Sequence, residues 1–299
     1  MANLDALNAA LETQADMSKP ETASSGGYTP PAAGIARARL VGYYEVGQHE
    51  EDEFNAQGQK TGKKRLRHKV HLVIELSGPK HEPREFEKDG VKTLIPHRIT
   101  IKETYEPGKA PHVKSNFYKL FTKLNTATGG NAKHMAQLLD KPFLIKIFHK
   151  EVGSGETKRI YANAKGPDGY VILPTVGKNA DDSDYSIAVS PAISPIKYFL
   201  FNLADKAMWD SIYIDGEIPE KKDDDGKVTA PARSRNVLQN LIKSAANFSS
   251  CPISTLVDTG KELDLGDVER PPRAEAPAPS EPEQKQAPRD IEFDDDIPF

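Results

Sequence analysis

Apolar and polar side chains alternate with a period of two through much of residues 35–163, which predicts half-buried strands. In an expected strand at 35–46, Ala36, Ala38, Leu40, Tyr44 and Val46 share one face, opposite Arg37, Arg39, Val41 and Tyr43. At 65–77, Leu66, His68, Val70, Leu72, Ile74 and Leu76 oppose Arg65, Arg67, Lys69 and His71. At 93–103, Ile95, His97, Ile99 and Ile101 oppose Arg98, Thr100 and Lys102. At 142–151, Phe143, Ile145 and Ile147 oppose Lys146, Phe148 and Lys150; at 157–163, Lys158, Ile160 and Ala162 oppose Arg159 and Tyr161. The period changes to helical over 113–140, where Phe117, Leu120, Phe121 and Leu124 recur before Gly129-Gly130 and a second turn follows at Met135, Leu138 and Leu139. Residues 47–64 read as a charged loop, and Val152–Glu156 as a hairpin loop.

The resulting order, β-β-β-α-β-β, is that of a five-stranded OB-type barrel with its helix between the third and fourth strands. The expected fold class is therefore mainly β with added helices: an OB-type barrel, a small α/β accessory region and disordered termini. Five segments are expected: an arm at 1–34 with a marginal helix near Leu4–Leu11, the barrel at 35–175, the accessory region at 176–265, a Pro-rich linker at 266–290 and an acidic tip at 291–299. The accessory region carries possible helices at 195–209 and 235–247, a strand-like Ile212-Tyr213-Ile214 and an acidic turn at Asp223–Asp225. Val237, Leu238, Leu241, Ile242 and Ala245 form one stripe suited to core packing.

Charge sharpens this picture. The chain of 299 residues is net −4, yet residues 35–175 are net +9, and the segments 1–34, 176–265 and 266–299 are −3, −4 and −6. A single cysteine, Cys251, excludes a disulfide framework within the chain and makes a cysteine-built zinc site implausible. No signal sequence and no apolar run long enough for a membrane span is found, so the expected compartment is the cytoplasm.

The polar faces of the five strands are unusually one-signed. Arg37, Arg39, Arg65, Arg67, Lys69, Arg98, Lys102, Lys146, Lys150 and Arg159 share them with only two acids, Glu45 and Glu75. Tyr43, Phe148 and Tyr161 lie among these cations, and Lys63 and Lys64 end the preceding loop. Cations release counterions from phosphates without regard to sequence, and rings stack on bases, which all present a π face. This set is the expected DNA-binding surface, with single-stranded DNA as ligand and no cofactor, metal or catalytic group.

The chain ends Asp294-Asp295-Asp296-Ile297-Pro298-Phe299. Over these six positions it resembles the C-terminal tip of bacterial single-stranded DNA-binding proteins, and the Pro-rich stretch before it resembles their linker. The resemblance implies a docking peptide for replication, repair and recombination enzymes. The chemistry agrees: an apolar Ile-Pro-Phe end fills a pocket, Pro298 lowers the ordering cost, and the aspartates meet a basic rim. Gly34–Val41 and Trp209–Gly216 are similar to segments of phage-encoded single-stranded DNA-binding proteins, whose layout the whole chain resembles more closely. A phage origin would place the protein in a bacterial host's cytoplasm.

Other motifs fall short of the chemistry they suggest. Gly58–Lys64 has one residue too few between its glycines for a phosphate loop. His68 and His71 are three apart on a strand and face opposite sides, poor geometry for one metal. Asp181, Asp182 and Asp184 would hold Mg²⁺ in the alternative reading, a DNA-processing nuclease or recombination accessory, but they lie in a polar connector. Another alternative is an adaptor that mimics the host tip without binding DNA. Trp209 and Cys251 read as packed, inert residues, and nothing in the pattern specifies an oligomeric state.

Overall fold

Two long strands carry the fold. In the computed structural model, β1 (Gly34–Phe54) and β2 (Lys60–Ser77) pair antiparallel over almost their full length. The structure describes residues 29–257 except 56, 58, 89, 90, 154–157, 180 and 223–225. The expected N-terminal helix, Pro-rich linker, acidic tip, Asp223–Asp225 turn and most of the 152–156 loop lie outside the described residues.

Next come the hairpin β3 (Arg84–Lys88) and β4 (Val91–Ile95), then β5 (His97–Thr104), helix α1 (Asn116–Ala127), a 3₁₀ turn at Met135–Leu138, β6 (Pro142–Val152) and β7 (Arg159–Asn163). The single strand expected at 93–103 is split between β4 and β5 at Pro96, which has no N–H for a ladder. β5 pairs with β2, β6 with the first part of β1, and β7 with β6, giving the order β5–β2–β1–β6–β7. No ladder joins β5 to β7, so among the described residues the sheet stays open and no closed barrel forms. The molecule is mainly β with few helices. None of its described helices is long and apolar enough to cross a membrane.

One face of the sheet holds the main core. Leu40, Leu72, Ile74, Phe143 and Ile145 meet Phe117, Leu120 and Leu124 of α1 there. Ser115 caps that helix by accepting from the Tyr118 N–H at 3.1 Å. A β-bulge between Leu40 and Gly42 inserts one residue into β1 and swaps its alternation. Tyr43 therefore points into the main core, whereas Val41 and Tyr44 point to the opposite face.

Around Val41, Tyr44, Val46 and Val73 that opposite face is covered by residues from 192 onward. β8 (Lys165–Gly166) and β9 (Gly169–Tyr170) form a two-stranded turn, β10 (Ile172–Leu173) pairs with β6, and β11 (Val176–Lys178) pairs with β12 (Asp184–Ser186). β13 (Lys197–Phe199) runs parallel to β1, where a helix at 195–209 was expected. A 3₁₀ turn at Phe201–Leu203 and helix α2 (Lys206–Ser211) complete that stretch. Two nested hairpins follow: β14 (Glu217–Ile218) with β17 (Arg233–Ser234), and β15 (Lys221–Lys222) with β16 (Val228–Ala230). Helix α3 (Val237–Lys243) buries Leu238 and Ile242, as its stripe requires. Together with Phe199, Phe201, Trp209, Ile212 and Cys251, they form a second core against Val41, Tyr44, Val46 and Val73. Ile212 is buried but not in a strand. Each large apolar side chain in this layer contributes about 1.5–3 kcal/mol by leaving water. Gly47, at φ +85°, permits the contact, since a Cβ there would lie 2.5 Å from Ala245 and 2.7 Å from the Phe201 ring.

Candidate nucleic-acid interface

The β6–β7 hairpin presents the cleanest mixture of rings and cations. Lys146, Phe148 and Lys150 alternate onto one face of β6. Across the ladder Lys150 faces Tyr161, and Val152 faces Arg159. Directly opposed residues share a face, so all five expected residues of this hairpin come together. The Lys146 ammonium stands 5.2 Å from the Phe148 ring centroid. Gly166 lets the β8–β9 turn approach that ring; a Cβ there would fall 2.5 Å from it. Phe148 and Tyr161 are half-buried, and Lys146, Lys150 and Arg159 are exposed.

The second basic surface is the arm made by the far ends of β1 and β2. Residues 47–54 continue β1 and Lys60 already begins β2, so the loop expected at 47–64 is mostly ladder. This register sets its acidic start against its basic end. Lys64 pairs with Glu50 at 2.9 Å, Lys69 with Glu51 at 3.3 Å, and Arg67 with Glu51 at 3.8 Å. Lys60 pairs with Asp52, whose carboxyl is held below its usual range by that hydrogen bond. The Lys64 ammonium is correspondingly raised by Glu50. Lys63 and Arg65 are exposed and, among the described residues, have no acidic partner. Lys102, opposite His71 on β5, is also exposed.

Four expected contact residues have other surroundings. Tyr43 is fully buried, and its hydroxyl donates to Glu45 at 3.0 Å. Burial, first, and that carboxylate, second, push the phenol far above its ordinary range. Tyr43 is no stacking platform; the bulge in β1 turned it inward. Arg39 clamps chain segments: it donates to the carbonyls of Asp140, Val189 and Ser190 and meets the Asp140 carboxylate at 3.2 Å. Arg98, half-buried beside Glu75 and Tyr44, is lowered by desolvation. Arg37 is half-buried and lines a cleft of about 270 Å³ with Ile35, Ser77, Pro79, Lys80 and Leu144.

The two acids of the expected basic face are buried anchors for the covering layer. Glu75 accepts from the N–H groups of Ile193 and Ser194, each at 2.7 Å. Glu45 accepts from the Phe201 N–H at 2.9 Å, and its other oxygen lies 3.7 Å from His134 Nε2. Their carboxylates satisfy backbone donors that the second core would otherwise bury unpaired.

His68 and His71 do face opposite sides. His71 is buried in the sheet, and desolvation, aided by Lys102, His49 and Lys69, pushes its imidazole down to about 3. His68 accepts from the Gln48 amide at 2.8 Å on the other side, which places its proton on Nδ1. Among the described residues no group of three His, Cys, Asp or Glu side chains is placed to hold a metal. Asp181 accepts from Ser183 within the tight turn between β11 and β12. Trp209 is buried, and the Cys251 thiol donates to the Phe201 carbonyl.

Sequence periodicity missed the connector 105–115, which runs beside the arm and brings Tyr105, Lys109 and His112 to it. An aperiodic segment has no face to read; only its composition, two aromatic or imidazole rings among Lys109 and Lys114, marks it. Comparison of the chain with protein-family models, characterised proteins and solved structures returned no match.

Proposed function

We propose that the protein binds single-stranded DNA without sequence preference and serves DNA replication, recombination or repair. The observation that carries this reading is the β6–β7 face, where Lys146, Phe148, Lys150, Arg159 and Tyr161 converge. Rings set among phosphate-neutralising cations suit an unpaired strand; a duplex hides its base faces. The arm, with Lys63 and Arg65, extends the positive surface. The strand order and the helix between β5 and β6 support an OB-type sheet, a fold whose barrels are partly open and whose loops flank the ligand. In that reading the β1–β2 and β6–β7 turns are the flanking loops.

The terminal Asp294–Phe299 hexapeptide supplies the choice of DNA over RNA, through its resemblance to the docking tip of bacterial single-stranded DNA-binding proteins. It recruits partner enzymes in this reading and takes no part in catalysis. Fluorescence anisotropy with labelled oligo-dT, duplex DNA and oligo-U tests the proposal. The expected order of affinity is oligo-dT first, with log K falling linearly against log salt by about 0.7 for each phosphate contacted. Removing residues 291–299 leaves oligo-dT binding intact. Absence of oligo-dT binding at low salt overturns the proposal.

A further inference from the structure

The ladder between β2 and β5 stops at Lys69–Thr104, although β2 continues toward the arm for several residues more. Its last link on that side is the Tyr105 N–H donating to the His68 carbonyl at 3.2 Å. Peptide groups alternate sides along a strand, so the N–H and C=O of Leu66 face the same way as those of His68. Among the described residues no strand pairs with β2 there. The connector 105–115 swings away instead and leaves a groove of about 420 Å³.

Its lining is unlike an ordinary surface crevice. Arg65 brings a positive charge that has no acidic partner among the described residues, and Arg67, paired with Glu51 at 3.8 Å, lies beside it. The one acid, Glu106, is neutralised by Lys109 at 2.7 Å. Tyr105 contributes a ring held in place by parallel stacking on Phe117, with centroids 4.3 Å apart. His112 adds a second flat ring, its orientation fixed because Nδ1 accepts from the Lys114 N–H at 3.1 Å. The Leu66 peptide edge, unpaired among the described residues, offers a donor and an acceptor between the two arginines.

We infer that this groove seats one nucleotide unit of a bound single strand, its phosphate on Arg65 and Lys109 and its base against Tyr105 and His112. The volume suits one nucleotide rather than a duplex, and charge, ring and backbone edge are the three recognition elements a single strand uses. The inference rests on the proposed DNA binding and extends the contact surface from the β6–β7 face to the opposite side of β2.

The test uses the full-length chain. Oligo-dT carrying 5-iododeoxyuridine is irradiated in the complex and the adducts are mapped; adducts at Tyr105 or His112 are expected. In parallel, Lys109→Glu combined with His112→Ala, both exposed positions, should weaken oligo-dT binding at least tenfold while circular dichroism stays unchanged. Thymidine monophosphate alone should compete only at millimolar concentration. If oligo-dT binds but neither the adducts nor the loss appears, the groove is not part of the path, and the proposed function stands without it. Micromolar binding of the free mononucleotide would also overturn the inference, in favour of a small-molecule pocket. If the unaltered chain fails to bind oligo-dT, the parent reading fails.

Discussion

Lys150 and Tyr161 stand directly opposite each other across the β6–β7 ladder, on the face that also holds Phe148. A cation beside a half-buried ring can take a phosphate and its base together. Tyr161→Ala is expected to weaken oligo-dT binding by about 1–3 kcal/mol, the usual range for a lost base stack. Tyr161→Phe should retain most of the affinity, because stacking needs the ring and not the hydroxyl. Lys150→Ala should cost less but reduce the salt slope by about 0.7. Anisotropy titrations at several salt concentrations separate these effects; equal slopes for the two alanine variants would argue against the assignment.

The arm makes the opposite kind of prediction, a gain. Glu50 holds Lys64 in an exposed ion pair, and Glu51 holds Arg67 and Lys69 in half-buried ones. Surface pairs of this kind add little to stability, because water and salt screen them. Glu50→Gln with Glu51→Gln should therefore cost little stability and raise oligo-dT affinity a few-fold at low salt. Arg65→Glu, with no acidic partner to release, should lower it. A loss of affinity in the double glutamine variant would show that the arm is not a DNA surface.

Tyr43 separates folding from binding. Its ring fills the main core, and its hydroxyl is a partner of the buried Glu45. Tyr43→Ala should destabilise by about 3–5 kcal/mol, the range for deleting a large core side chain. Tyr43→Phe removes only the hydrogen bond and should cost about 1–3 kcal/mol. Urea denaturation measures both. The refolded phenylalanine variant should bind oligo-dT like the unaltered chain; a selective loss of binding would return Tyr43 to the interface.

What the sequence made legible follows from which interactions are local. Alternation located β1, β2, β6 and β7 because side-chain direction depends only on the neighbouring residues. It placed Lys146, Phe148, Lys150, Arg159 and Tyr161 on one face for the same reason. It misplaced Tyr43, since the residue inserted between Leu40 and Gly42 reverses the side chains up to the next shift, between Glu45 and Gly47, and leaves no mark in composition. Arg39 and Arg98 read as members of the open DNA-binding face, with Glu45 and Glu75 as its two acids. The partners of Arg39, Glu75 and Glu45, at Val189–Ser190, Ile193–Ser194 and Phe201, lie more than a hundred residues away and no period connects them. The apolar residues of the second core were visible, but not that they would roof the sheet. The charged segment 47–64 looked like a loop because its apolar content is low; cross-strand ion pairs, not burial, accompany its ladder.

His71 predicts a pH dependence of stability with a definite sign. Burial disfavours its imidazolium, and the nearby Lys102, His49 and Lys69 oppose a further positive charge, so its pKa falls to about 3 in the folded chain. An unfolded histidine takes up its proton near 6.5, its ordinary value. Between these values the unfolded chain binds one more proton than the folded chain. The contribution of His71 is therefore fully present above about pH 6.5 and is lost progressively as the pH falls toward 3, at up to about 1.4 kcal/mol per pH unit. His68, His81 and His97 are also lowered by burial and act in the same direction. Urea midpoints between about pH 7 and 5 isolate the histidines before most carboxylates titrate. Over that window the unaltered chain should lose stability on acidification, and His71→Gln, which cannot take the proton, should show a shallower loss. An unchanged slope in that variant would mean that His71 is already solvated and protonated in the folded chain, and that the covering layer does not seal this part of the sheet.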